Sequence, residues 1–199
     1  MGRLIFFCGT MGSGKSTLAL QMHYNFTQVG RTGLLFTQGD RSGAAEVTSR
    51  IGVSAPALVV TPELDLFAAI QEEVRRLRRK VSYVLCDEVQ FYTPEQVEQL
   101  AHAVDVLELD GYGFGITTDF RSQLFAGSRR MVELADDIRK VQSEMPCWCG
   151  QPATHNGRVI GGELVTEGEQ VVVGDLSAAA AVQYVVLCRQ HYQARRPFG

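Results

Sequence analysis

The stretch Gly9-Thr10-Met11-Gly12-Ser13-Gly14-Lys15-Ser16-Thr17 fits the pattern G-x-x-x-x-G-K-[ST] and constrains this chain more than any other feature. It follows an apolar run, Leu4–Cys8, that reads as a buried strand. It precedes a segment, 15–29, in which Leu18, Met22, Phe26 and Val29 share one helical face. Between a strand and a helix, the glycines let successive backbone N–H groups turn inward around phosphate oxygens, with the positive end of the helix behind them. Lys15 would reach the β- and γ-phosphates, and Ser16 would ligate Mg²⁺. Average residue usage produces the pattern by chance in roughly one chain in a hundred of this length. The expectation is therefore a binder of nucleoside triphosphates.

Such a loop belongs at the head of a parallel α/β sheet, and the first 135 residues alternate short apolar runs with longer segments of helical period. Strands are expected at 33–37, Leu58–Val60, 81–86 and 111–116, the last weakened by three glycines. Thr61-Pro62-Glu63 is read as opening a helix with Phe67, Ile70, Val74 and Leu77 inward. Thr93-Pro94-Glu95-Gln96 combines an N-cap, a first-turn proline and a capping-box glutamine for a helix to residue 107. The basic run Arg75, Arg76, Arg78, Arg79 and Lys80 lies where cations favour a helix C-terminus and face water.

A nucleotide-binding loop needs an acidic residue at the end of another strand to hold the metal, and Asp87 follows the 81–86 run. Glu88 comes next. A carboxylate there can take a proton from whatever attacks the γ-phosphate: water in an ATPase, a substrate hydroxyl in a kinase.

The character of the chain changes near residue 143. The segment 158–174 is rich in glycine and β-branched residues and is broken by Glu167-Gly168-Glu169, which suggests a hairpin or long extended loop. It is flanked by Cys147-Trp148-Cys149 and by Cys188-Arg189-Gln190-His191, the layout of a four-ligand site for structural Zn²⁺ built from Cys147, Cys149, Cys188 and His191. His155 is a spare candidate ligand, and Cys8 and Cys86 are expected to be small core residues. The organisation read from the chain is 1–143 for the nucleotide-binding part, 144–192 for the zinc part and 193–199 for a tail.

Composition limits the partners. Of 199 residues, 45% are hydrophobic and 21% charged, and nineteen Lys and Arg against twenty-two Asp and Glu leave a formal charge of −3. A globular core is affordable at that length, while no global positive field exists to attract nucleic acid or an anionic membrane. The apolar run at 4–8 is too short for a signal-peptide core or a membrane span. A cytoplasmic protein is expected, with neither nucleic acid nor membrane as partner.

Taken together these residues resemble the type II, zinc-containing thymidine kinases, over almost the whole chain to about Tyr192. The 9–17 loop is similar to that family's phosphate loop, and Asp87-Glu88-Val89-Gln90-Phe91 to its D-E-x-Q-F element. The resemblance makes Glu88 the base for a 5′-hydroxyl, with Asp87 and Gln90 on the ATP side. Gly115-Ile116-Thr117-Thr118-Asp119-Phe120-Arg121 resembles the G-L-x-x-D-F-R stretch, with Phe91, Phe120 and Arg121 implied at the nucleoside. Val171, Val172, Val173 and Gly174, with Gln170, look like the Q-V-V-I-G element of a zinc-anchored "lasso" loop, and Tyr184 matches the lasso tyrosine that contacts the nucleoside. Asp40 and Arg41 match the loop near the phosphates. The chain departs from the family pattern in Gly174-Asp175, where the family reads Gly-Gly, and in the longer stretch before Tyr184.

The resemblance implies a RecA-like parallel sheet flanked by helices with a small zinc-binding lasso domain. It implies transfer of phosphate from ATP to thymidine with Mg²⁺, a homotetramer, and feedback inhibition by thymidine triphosphate. Two rivals make different predictions. A P-loop ATPase with a structural zinc module, acting on a macromolecular partner, would turn over ATP without any nucleoside. A nucleic-acid-binding zinc module would bind DNA in a salt-sensitive way.

Overall fold

In the computed structural model, which describes residues 2–38, 45–142, 145–170 and 182–199, strand β1 (Leu4–Cys8) is buried at every position. A strand apolar on both faces requires cover on both. Leu4, Phe6 and Cys8 point to one side, and Ile5 and Phe7 to the other.

The chain continues through α1 (Lys15–Gln28), β2 (Thr32–Gln38), a two-stranded ribbon of β3 (Glu46–Thr48) and β4 (Ser54–Pro56), β5 (Leu58–Val60) and α2 (Leu66–Leu77). It then forms β6 (Val81–Asp87), a short 3-10 turn (Val89–Phe91), α3 (Pro94–Leu107), β7 (Asp110–Gly115), α4 (Ala126–Leu134) and β8 (Asp137–Lys140). Six strands pair in the order β5-β2-β6-β7-β1-β8, every pairing parallel. All six therefore present their carboxyl ends along one edge, where ligands of such sheets bind.

Helix α1 covers Ile5, Phe7, Leu35, Tyr83, Leu85 and Phe114 on one face, and α2, α3 and α4 cover the other. Each fully buried side chain of this kind contributes about 1.5–3 kcal/mol relative to exposure. The glycines of β7 have a packing role. A Cβ at Gly113 would stand 2.6 Å from Met131 of α4, and one at Gly111 would stand 2.6 Å from Val104 of α3. Side chains from the helices fill the space that strand side chains would occupy.

Helix α2 starts later than Thr61-Pro62-Glu63. Its N-cap is Asp65, whose Oδ1 accepts from the Ala68 N–H at 2.9 Å. Residues 61–64 are held as a turn, because the Gln96 side-chain amide donates to the carbonyls of Thr61 and Leu64. The same Gln96 completes the expected capping box with Thr93. The basic run falls in the last turn of α2 and just beyond it, with Arg76 paired to Glu73.

The rest of the described chain forms an antiparallel sheet, β10-β9-β11, from β9 (His155–Ile160), β10 (Glu163–Val165) and β11 (Gln183–Leu187), followed by α5 (Arg189–Gln193). The hairpin turns at Gly161 and Gly162, both with positive φ, and not at 167–169. Two adjacent left-handed residues give the turn twist that matches a right-twisted strand pair. Several elements have no counterpart in the sequence reading, among them the β3–β4 ribbon, α4, β8, β11 and α5. Asp137-Ile138-Arg139-Lys140 is a mostly exposed edge strand and shows no apolar run.

Candidate active site

At the carboxyl edge of the sheet lies a cavity of about 1110 Å³. The loop after β1 forms its floor, with Gly12 at φ 75° and Gly14 at φ 80°, a conformation that glycine reaches without a Cβ penalty. Gly14 is the N-cap of α1, and no side chain caps that end. The first-turn N–H groups of α1 are thus left for an anion. Lys15 is buried and donates its Nζ to the Thr10 carbonyl at 2.8 Å. Burial lowers its pKa, against the pull of the Glu88 and Asp87 carboxylates.

Asp87 ends β6 directly beside this loop. Burial and the neighbouring Glu88 push its carboxyl up to about 6, with the Ser16 hydroxyl and Lys15 opposing. Among the described residues, Asp87 Oδ1 and Ser13 Oγ are buried without a hydrogen-bond partner. Buried oxygens without partners are costly. A phosphate-bound cation and the phosphates themselves would satisfy both, so the residues fit a metal–nucleotide complex.

Glu88 has φ 54° and ψ 37°, a left-handed conformation unusual for glutamate. It lines the cavity close to the phosphate loop. Gln90 is held against it: the Gln90 amide donates to the Glu88 carboxylate, and Gln90 Oε1 accepts from the Ile116 N–H at 3.1 Å. Gln90 thus orients Glu88 while also lining the cavity. α4 braces the same turn, since a Cβ at Gly127 would lie 2.2 Å from the Val89 carbonyl oxygen.

The opposite wall is aromatic. Phe91 meets Phe125 edge-on with ring centroids 5.6 Å apart, and Phe120 is buried beneath the Arg158 guanidinium at 3.7 Å. Tyr184 lines the cavity and accepts from Arg158 Nε at 3.2 Å. Arg121 grips Asp119, itself on the cavity wall, and donates to the Gly168 carbonyl at 3.1 Å. Asp119 also accepts from Gln170 Nε2 at 3.0 Å. Asp40, Arg41, Val171, Val172, Val173 and Gly174 lie outside the described residues.

Sequence reasoning missed Asn156 and Arg158, both almost fully buried, and Phe125, which like Asn156 lies on the cavity wall. A signal existed for the first pair. Polar residues at i and i+2 of a strand share one face, and β9 carries Asn156 and Arg158 at that spacing. The strand begins at His155, upstream of the expected 158.

Behind this wall Cys147, Cys149, Cys188 and His191 place their ligand atoms within 4.8 Å of one another. Cys147 Sγ and Cys188 Sγ stand 3.5 and 3.3 Å from His191 Nδ1, and Cys149 Sγ stands 4.0 Å from Cys188 Sγ. A tetrahedral ion with Zn–S bonds of about 2.3 Å requires edges of about 3.5–3.8 Å, so the cluster has the size of such a site. A tight turn closed by Gly150 N–H on the Cys147 carbonyl brings the first pair round, and one turn of α5 returns His191 beneath Cys188. The Trp148 ring lies against His191 at 4.1 Å. His155 is not part of the cluster: its ring stacks on Tyr192. Cys86 is a core thiol, pushed up to about 12 by burial, and Cys8 is buried beside the same sheet.

Residues 2–192 match the family model described as "Thymidine kinase". A thymidine kinase of Streptomyces avermitilis is 52% identical over 196 residues, 98% of this chain and 90% of that one. One from Cutibacterium acnes is 50% identical over 97% of this chain and 89% of its own length, and one from Haemophilus influenzae 36% identical over 98% of both. Among solved structures, a Pif1 helicase from Candida albicans aligns with a TM-score of 0.43 at 12% identity, over 70% of this chain and 36% of its own, a likeness too loose to bear on function.

Proposed function

This chain belongs to the thymidine kinase family, and from that premise we propose how its residues transfer the γ-phosphate of ATP to the 5′-hydroxyl of thymidine. The observation that carries the reading is one cavity with two unlike walls. An anion-seeking loop with Lys15 faces an aromatic wall of Phe91, Phe120 and Phe125, and Glu88 stands beside the loop. A neutral base suits apolar walls and a few hydrogen bonds, not a charge cluster.

The N–H groups of the 9–17 loop orient the triphosphate, and Lys15 leaves the Thr10 carbonyl to meet its β- and γ-oxygens. Ser16 and Asp87 would hold Mg²⁺, which when bound neutralises charge developing on the phosphates. Glu88, held by Gln90, accepts the proton of the 5′-hydroxyl as its oxygen approaches phosphorus. Transfer to a sugar rather than to water needs a closed site, because positioning supplies most of the catalysis. The β9–β11 sheet, with Arg158 holding the Glu169 and Gln170 carbonyls, forms that cover. Its anchor would be Zn²⁺ held by Cys147, Cys149, Cys188 and His191, four ligands that leave no open position and so suit a structural role.

The described cavity runs without a break from loop to aromatic wall. A thymidine triphosphate can therefore set its base on one and its phosphates on the other, which supports feedback inhibition. A homotetramer, which the resemblance to the type II thymidine kinases implies, is also part of the proposal. Among the described residues no helix is long and apolar enough to cross a membrane, and a cytoplasmic location is part of the proposal.

The test is transfer from Mg-ATP by the purified protein with thymidine, deoxycytidine, deoxyadenosine or deoxyguanosine, and with none. Thymidine monophosphate formed only in the thymidine reaction is the expected result. ADP released equally without nucleoside would make water the acceptor and replace the kinase reading by the ATPase one.

A further inference from the structure

Asn156 is 4% exposed, lines the cavity, and ties two other segments to its own strand through a single side chain. Its Oδ1 accepts from the Met11 N–H at 2.9 Å, inside the phosphate loop and one residue before Gly12. Its Nδ2 donates to the Thr118 carbonyl at 2.9 Å, one residue before Asp119 and two before Phe120. Its own backbone belongs to β9, paired with Val186 of β11, two residues before the cluster cysteine Cys188. The partners fix the orientation of the amide, since a flipped group would set NH₂ against an N–H and oxygen against a carbonyl.

These attachments end on different functions. Met11 belongs to the donor loop, Thr118 leads into the aromatic wall of the acceptor, and β9 carries Arg158, which holds the Glu169 and Gln170 carbonyls. Both bonds are of ordinary length, and such bonds weaken steeply as they bend. A donor that settles the loop therefore also settles the acceptor wall, and the reverse holds by linkage. We infer that Asn156 is a positioning residue that couples donor and acceptor binding, so that each substrate raises the affinity for the other. The inference rests on the kinase reading and adds to it a cavity-lining residue whose effect runs through Met11 and Thr118.

The experiment titrates thymidine calorimetrically into the metal-loaded protein, with and without a non-hydrolysable Mg-ATP analogue. Metal content and circular dichroism are measured in parallel. The wild-type protein is expected to bind thymidine on the order of tenfold more tightly with the analogue present. In Asn156→Ala that ratio falls to near one while metal content is unchanged. Asn156→Ser, whose hydroxyl can serve one of the two partners, gives a ratio in between, and it carries the test if the alanine variant does not fold. Wild-type coupling in either folded variant, or a ratio of one in the wild type, overturns the positioning role and leaves the reaction untouched. Failure of the metal-loaded wild type to bind thymidine under both conditions overturns the kinase reading and the coupling with it.

Discussion

Arg158→Met should loosen the nucleoside side of the site while leaving the donor side in place. The guanidinium lies 3.7 Å from the Phe120 ring centre and donates to the Glu169 carbonyl at 2.9 Å, the Gln170 carbonyl at 3.0 Å and the Tyr184 hydroxyl at 3.2 Å. Methionine keeps the apolar stem but donates to none of them. Hydrogen bonds from a charged group contribute about 1.5–3 kcal/mol each when shielded. Glu169 and Tyr184 are exposed and Gln170 is half-buried. Water can replace the lost donor at those acceptors, which reduces each loss to about 1 kcal/mol. Adding about 1 kcal/mol for the cation over the ring gives about 4 kcal/mol. Relief from burying a cation that has no carboxylate partner among the described residues offsets about 1–2 kcal/mol of that.

The net loss is about 2–3 kcal/mol, or roughly 30- to 150-fold in affinity. It falls on the segment around 169–170 and on Tyr184. Steady-state kinetics should show the thymidine KM raised by about that factor, with the ATP KM changed by less than about threefold. A folded, metal-loaded variant with an unchanged thymidine KM would refute the assignment of Arg158 to the cover. An equal rise in both KM values would show that it supports the whole cavity and not one wall.

Four further outcomes follow from the same geometry. Glu88→Gln should lower kcat by about 10²–10⁴ with ATP binding retained in calorimetry, and wild-type turnover would remove Glu88 from the role of base. Gly127→Ala places a Cβ 2.2 Å from the Val89 carbonyl oxygen and 2.7 Å from that of Tyr92, so it should cost about 1–3 kcal/mol in urea unfolding. Its kcat should fall as well, because the displaced turn carries Gln90. At Asp119, burial works against ionisation, but the Gln123 N–H, Arg121 and Gln170 outweigh it and hold the carboxyl below its usual value. A folded-state pKa below the unfolded one means stabilisation that is present above pH about 4 and lost as pH falls through the folded value. Asp119→Asn should therefore flatten the acid limb of the stability profile, and an unchanged limb would assign that loss to other carboxylates. Chelation of the metal should weaken thymidine binding more than ATP binding, measured by separate titrations, because the cluster anchors β11 and α5 and not the 9–17 loop.

Local chemistry made much of this protein readable from its sequence. The 9–17 loop, the strand at Leu4–Cys8, the Thr93–Gln96 capping box and the approach to Asp87 are all encoded by neighbours within a few residues. The spacing of Cys147, Cys149, Cys188 and His191 was legible for the same reason, since metal ligands must come as short pairs. Reading failed where a distant group overrode a local signal. Thr61-Pro62-Glu63 has the composition of a helix start, yet Gln96, more than thirty residues on, holds its carbonyls as a turn. β8 lacks an apolar run because an edge strand needs none.

The sequence by itself determined the phosphate loop, the acid beside it and the metal-ligand pairs, because each depends on residue type at fixed short spacing. Only the tertiary structure decided that Gln90 holds Glu88, that Arg121 grips Asp119 and the Gly168 carbonyl, and that Asn156 spans 145 residues of chain to reach Met11. Those choices depend on which buried donors and acceptors meet across the fold. A buried polar group takes whatever partner the packing brings to it, and no local pattern records which one that will be.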